Sequence, residues 1–182
     1  FYEDQQPRRM ILGINPGRLG AGSTGVPFTD TKRLAAHAGI DDLDFSTHEP
    51  SSVFVYEMIE AYGGADAFYQ DYYITSACPL GFLAQNKRGN WVNYNYYDSK
   101  ELATAVKGYI VQTIWEQLEF GIDREVGICW GTGKNYAYLK KLNQEQGFFK
   151  ELIPLEHPRY VIQYKTKFKQ DYIDKYLRVM KS

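Results

Sequence analysis

The chain has 182 residues, enough for one well-buried core and too few for two comfortable ones, so a single domain spanning residues 1–182 is expected. Hydrophobic residues make up 44% and charged residues 24%, which excludes a disordered chain, and no apolar run approaches the length of a membrane span. The formal net charge of -1 argues against a protein that coats nucleic acid indiscriminately.

Four apolar runs rich in β-branched and aromatic residues read as buried strands: Met10 to Ile14, Tyr72 to Cys78, Val126 to Trp130 and Leu152 to Leu155. Between the first two, helices are predicted near Asp30 to Ala38 and Ser51 to Tyr62. After the second strand, the stretch from Gln85 to Asp98 is polar and aromatic without a period and reads as a long surface loop. The clearest helix then runs from about Ser99 to Phe120. Ser99 is placed to cap it, and Leu102, Val106, Ile110, Ile114 and Leu118 recur at helical spacing. Further helices are predicted at Gly133 to Asn143 and Lys167 to Met180, on either side of the fourth strand. This alternation predicts an α/β fold, a three-layer α/β/α sandwich around a central, mainly parallel four-stranded sheet. Ligands of such sheets bind at the carboxyl ends of the strands, which directs attention to the residues after Ile14, Ile74, Trp130 and Leu155.

Charge is unevenly spread. Residues 1–130 carry 10 Lys and Arg against 17 Asp and Glu, whereas residues 131–182 carry 11 against 5, so the C-terminal part can hold a phosphate backbone. The competing reading of Lys165, Lys167, Lys169 and Lys175 is the solvated face of a last helix. Sixteen tyrosines, ten phenylalanines and three tryptophans supply rings that could stack on bases, although for any one of them a place in the core is the simpler expectation. Cys78 and Cys129 stand alone in apolar surroundings without metal-type spacing, as in a reducing cytoplasm. Residue 1 is Phe rather than Met, so sequence ahead of it is allowed for.

Two glycine-rich segments mimic nucleotide-binding motifs. Gly20, Gly22 and Gly25 match G-x-G-x-x-G, but the strand has ended near Asn15 and Pro27 follows the last glycine, so no helix opens where the dinucleotide fingerprint needs one. Gly131-Thr132-Gly133-Lys134-Asn135 resembles the tail of a P-loop, yet the first glycine is absent and Asn135 occupies the position of the magnesium-binding hydroxyl. What remains after the first strand is an Asn able to hold a water and Phe28 following a Pro, a set suited to a flat ring. After the fourth strand, Pro158 places His157 at the sheet edge, unlike His37 and His48.

The Asn15-Pro16-Gly17 turn, the run Thr24-Gly25-Val26-Pro27-Phe28, Cys78-Pro79-Leu80 and His157-Pro158 occur in one order along the chain. Together they resemble the single-strand-selective monofunctional branch of the uracil-DNA glycosylase superfamily, in its bacterial form. The resemblance implies a DNA-repair glycosylase that needs neither cofactor nor metal, acts as a monomer on DNA, and resides with the nucleoid in the cytoplasm. It assigns Asn15 to the attacking water and His157 to the O2 of the leaving base. Phe28 would stack on the flipped base, with Gly13, Ile14 and Ser76 around it and Gly17 leaving room beside C5. Gly133, Lys134, Arg159 and Tyr160 would face DNA.

Two departures stand out. Ser76 replaces the family's base-reading Asn, exchanging a fixed amide for one short rotating hydroxyl, so xanthine or hypoxanthine joins uracil as a candidate. After His157, Arg159 and Tyr160 follow Pro158 directly, and one of them is expected to be the wedge that fills the gap left by the flipped base. Two further readings compete: a non-catalytic module for damaged or single-stranded DNA, and an enzyme of free nucleosides.

Overall fold

In the computed structural model, which describes residues 2 and 4–182, the chain forms the expected α/β sandwich. Strands β1 (Arg8–Gly13), β2 (Tyr72–Ser76), β5 (Ile122–Trp130) and β6 (Glu151–Leu155) make one wholly parallel sheet in the order β2-β1-β5-β6. Successive side chains of a strand face opposite ways, and β1 shows it: Ile11 joins one core while Met10 and Leu12 join the other. On the first face lie α3 (Pro50–Tyr62), α4 (Ala65–Asp71), α7 (Pro158–Tyr164) and α8 (Lys169–Met180), whose Phe54, Ile59, Phe68, Val161 and Tyr176 are buried. On the second lie α5 (Lys100–Leu118) and α6 (Lys134–Gln146), contributing Ile110, Ile114, Leu139 and Leu142. No helix among the described residues is long and apolar enough to cross a membrane.

Capping fixes several helix starts. Ser99 accepts from the Leu102 amide at 3.0 Å, as its position in the sequence predicts. Asp30 caps α2 (Thr31–Ala38) through the Arg33 amide at 3.1 Å, and its other oxygen accepts from the Glu49 amide and the Ser52 hydroxyl, each at 3.1 Å. Burial alone would raise the Asp30 carboxyl. The Glu49 and Arg33 amides, the Arg33 charge and Ser52 outweigh it and hold the pKa below the usual carboxylate value. Asp30 thus ties the segment after Phe28 to the start of α3.

Four elements differ from the sequence reading, the first being a single-turn helix, α1 (Ala21–Thr24), inside the glycine-rich segment. The stretch from Gln85 to Asp98 is not an irregular loop: its first part closes an antiparallel hairpin of β3 (Phe82–Gln85) and β4 (Trp91–Tyr94). The two short apolar runs on either side of Asn-Lys-Arg-Gly carry that signal. Helix α4 abuts β2 without a loop, so its pattern merges with that of the strand. The segment after His157 is helical from Pro158, a residue suited to the first turn because it lacks the amide hydrogen that such a position leaves unpaired.

Candidate active site

The carboxyl ends of β1, β2 and β6 meet in an open cleft of about 320 Å³. Of the residues singled out in the sequence, Ile14, Asn15, Gly17, Phe28, Ser76, His157 and Arg159 line it. Gly133, Lys134 and Tyr160 line an adjoining cleft of about 380 Å³, which shares Ile14 and His157 with the first. Gly13 lies behind Phe28: a Cβ on it would stand 2.8 Å from the ring, so only glycine lets the ring rest on the end of the strand.

Asn15 is held from both ends of its amide. Its Nδ2 donates to the Tyr94 carbonyl and its Oδ1 accepts from the Tyr96 amide, both at 3.2 Å. One N–H and one lone pair stay free to hold a water. Tyr96 is fully buried, and its hydroxyl donates to Asn135 Oδ1 at 2.7 Å. Asn135 Nδ2 in turn donates to the carbonyls of Gly13 at 3.2 Å and Trp130 at 3.1 Å. Asn135 therefore clamps the ends of β1 and β5 and, through Tyr96, orients Asn15.

Phe28 is the one non-glycine among the described residues with positive φ, at 55°. Such a backbone costs about 1–3 kcal/mol for a bulky residue and persists only where neighbours enforce it. They do. Thr29, fully buried, donates to the Pro27 carbonyl at 2.9 Å and bonds the Tyr56 hydroxyl at 3.0 Å, and Thr24 Oγ1 donates to the Thr29 carbonyl at 2.9 Å. The ring stands edge-on to Trp130, centroids 4.8 Å apart, and 5.6 Å from the His157 ring.

His157 caps α7: its Nδ1 accepts the Arg159 amide hydrogen at 3.1 Å. That bond leaves Nε2 to carry the ring proton. Burial, assisted by the Arg159 charge, lowers the pKa to about 4, so at neutral pH the imidazole is an uncharged Nε2–H donor. Ser76, at the end of β2 beside Gly13, is nearly buried, and its hydroxyl makes no hydrogen bond among the described residues.

Sequence reasoning missed Glu49, Asn93 and Asn95, all of which line the cleft. Glu49 caps α3 by accepting from the Ser51 amide at 3.1 Å. Its Oε1 is 3.8 Å from the Arg159 guanidinium, and its Oε2 would be 3.4 Å from a Cβ at Gly17. Asn93 Nδ2 would be 3.1 Å from the same Cβ, so the space over Gly17 is bounded by both side chains. The Glu49-Pro50 pair, a helix start, was the available signal for the first; the unread hairpin hid the asparagines. Around Asn135 the structure also explains the false P-loop: the side chain points into the core rather than toward a phosphate.

A family model of the uracil DNA glycosylase superfamily matches residues 1–181. The chain belongs to that superfamily. Among solved structures it resembles wild-type SMUG2 of Pedobacter heparinus, with 53% sequence identity and a TM-score of 0.95, over 100% of this chain and 77% of that one. None of the curated proteins compared matches it. Membership in the superfamily supports DNA as the macromolecule on which the protein acts.

Proposed function

We propose that the protein is a monofunctional DNA glycosylase that flips uracil and related deaminated or 5-substituted bases out of DNA and hydrolyses the N-glycosidic bond. The observation that carries this reading is His157: a neutral imidazole, fixed by its Nδ1 bond to the Arg159 amide, offers Nε2–H beside the ring of Phe28. Extruding a base costs about a few kcal/mol, which stacking on Phe28 and hydrogen bonds to the base edge offset. As the bond to the sugar lengthens, negative charge spreads onto the ring carbonyl, and a donor already in place meets it without reorganisation. Asn15 cannot take a proton, so it positions the water while the sugar cation forms first. The product is an abasic site. With a water held by Asn15 as the nucleophile rather than a lysine amine, no imine with the sugar forms, in keeping with a monofunctional enzyme.

Glu49 and Ser76 suggest how a damaged base is chosen. Deamination of cytosine or adenine turns a bare ring nitrogen into an N–H. The Glu49 carboxylate accepts only such a hydrogen, and the Ser76 hydroxyl adapts to either partner. This logic admits uracil, hypoxanthine and xanthine and rejects cytosine and adenine; guanine and thymine carry the same ring N–H and are not told apart by it. The test is release from single- and double-stranded oligonucleotides carrying each of these bases or hydroxymethyluracil, read by alkaline cleavage of the abasic product. Release from the deaminated bases, lost in Asn15→Ala and His157→Ala, is the expected result. Tight, salt-sensitive binding without release of any base would replace this reading with that of a non-catalytic module, and faster turnover of free deoxyuridine would point to a nucleoside hydrolase.

A further inference from the structure

We propose that the β3–β4 hairpin is a second DNA-contacting arm, in which Trp91 stacks on a base adjacent to the flipped nucleotide; this rests on the glycosylase reading of the cleft. The hairpin register pairs Leu83 with Asn93 and Gln85 with Trp91, so these four side chains share one face. Asn93 lines the base cleft, and its Oδ1 accepts from the Arg18 amide at 3.1 Å. The face therefore continues outward from the mouth of the cleft. Along it Trp91 stands two residues, about 7 Å, from Asn93, or roughly two stacked base steps.

Both apolar members of this face lie open: Trp91 is 56% exposed and Leu83 49%. The hairpin tip carries Lys87 and Arg88, neither engaged in an ion pair among the described residues. No acidic residue occurs between Asp71 and Asp98, although the first 130 residues as a whole are acidic. An exposed indole beside a base cleft, on an acid-free ribbon with a cationic tip, suits a nucleic-acid strand better than a protein: the cations meet phosphates and the ring meets a base face. His157 and Arg159, at the start of α7, line the same cleft as Asn93, so the strand that carries the damaged base is expected to run between the start of α7 and the hairpin.

Trp91 is far more exposed than the fully buried Trp130, and Trp115 is covered by Arg124 and Phe148, so the part of the tryptophan emission that Trp91→Ala removes reports on the hairpin. The protein is titrated with a single-stranded oligonucleotide bearing 2′-fluoro-deoxyuridine, whose glycosidic bond resists hydrolysis. Wild type should show a quench that Trp91→Ala loses, with affinity reduced on the order of tenfold, within the range for base–aromatic stacking. Trp91→Phe should retain most of the affinity, and neither change should move the thermal midpoint. Unchanged affinity and quench in Trp91→Ala would overturn the assignment, as would a dimer formed through this face that Trp91→Ala dissociates. If bases are released while both Trp91 readouts stay constant, the hairpin inference fails alone; if the quench behaves as expected but no base is released, the glycosylase reading fails instead.

Discussion

Asn15, Ser76 and His157 stand at the ends of β1, β2 and β6, whereas Lys134, Arg159 and the hairpin surround them on exposed helix starts and a two-stranded ribbon. The inner group is over-determined: Asn15 is held at both ends of its amide, His157 at Nδ1, and Phe28 by the buried Thr29. The outer group is held less tightly: Lys87, Arg88, Trp91 and Lys134 stand in solvent, and the exposed Arg159 has a 3.8 Å contact with Glu49. The contrast teaches a division of labour. Groups that stabilise a developing charge must be in place before the reaction, because their energy is lost if they have to reorganise. Groups that hold a flexible polyanion need only be near it, since the attraction is long-ranged and screened by salt.

The sharpest way to break this contrast is at His157. Its replacement by Ala should lower kcat by about 10²–10³-fold, the usual loss for one preorganised donor, with binding of an abasic-site oligonucleotide little changed; an equal loss of binding would blur the two regions. The same residue sets a pH dependence. With the pKa lowered to about 4, wild-type activity should show no inflection near 6.5 and should fall only as pH drops toward 4, where a proton on Nδ1 breaks the bond to the Arg159 amide. For stability the sign is the same. The unfolded chain takes up this proton near pH 6.5 while the folded one resists until about 4, so stability declines through that window and levels off below it.

Asn135 tests whether the inner group depends on its buried brace. Asn135→Ala leaves the Tyr96 hydroxyl without its acceptor and removes the side-chain donor to the Trp130 and Gly13 carbonyls, the latter keeping its bond from the Ala77 amide, and chemical denaturation should register a loss of about 2–3 kcal/mol. Tyr96→Phe removes one link only and should cost about 1 kcal/mol, with little effect on kcat because the Tyr96 backbone amide that holds Asn15 is retained. The smallest effect is expected at the rim. Lys134→Ala should weaken DNA binding a few-fold for every sequence and reduce the slope of log affinity against log salt by about 1, leaving kcat at saturation unchanged.

Much of the inner group was legible in the sequence. A run such as Met10 to Ile14 followed by Asn-Pro-Gly announces a buried strand and its turn, and Pro158 announces a change of direction after His157. The four strands, the Ser99 cap and the parallel topology follow from periodicity and alternation, which act over a few residues. What stayed hidden depends on contacts between distant segments. Asn135 reads as a failed phosphate loop until β1 and β5 lie side by side, and Glu49 reads as a helix cap until Gly17 is folded against it. The hairpin escaped because its strands are four residues each and lack strict alternation: Trp91, Val92 and Asn93 are all exposed.

The central claim is that a neutral His157 stabilises the departing base. The most direct test is single-turnover release of uracil and of 5-fluorouracil, whose anion is the more stable, by wild type and by His157→Ala. If His157 carries charge stabilisation, 5-fluorouracil should leave faster in both, and its advantage should widen in the variant, which must rely on the base itself to bear the charge. An advantage that is absent, or that is the same in both proteins, would contradict a leaving group stabilised at this residue.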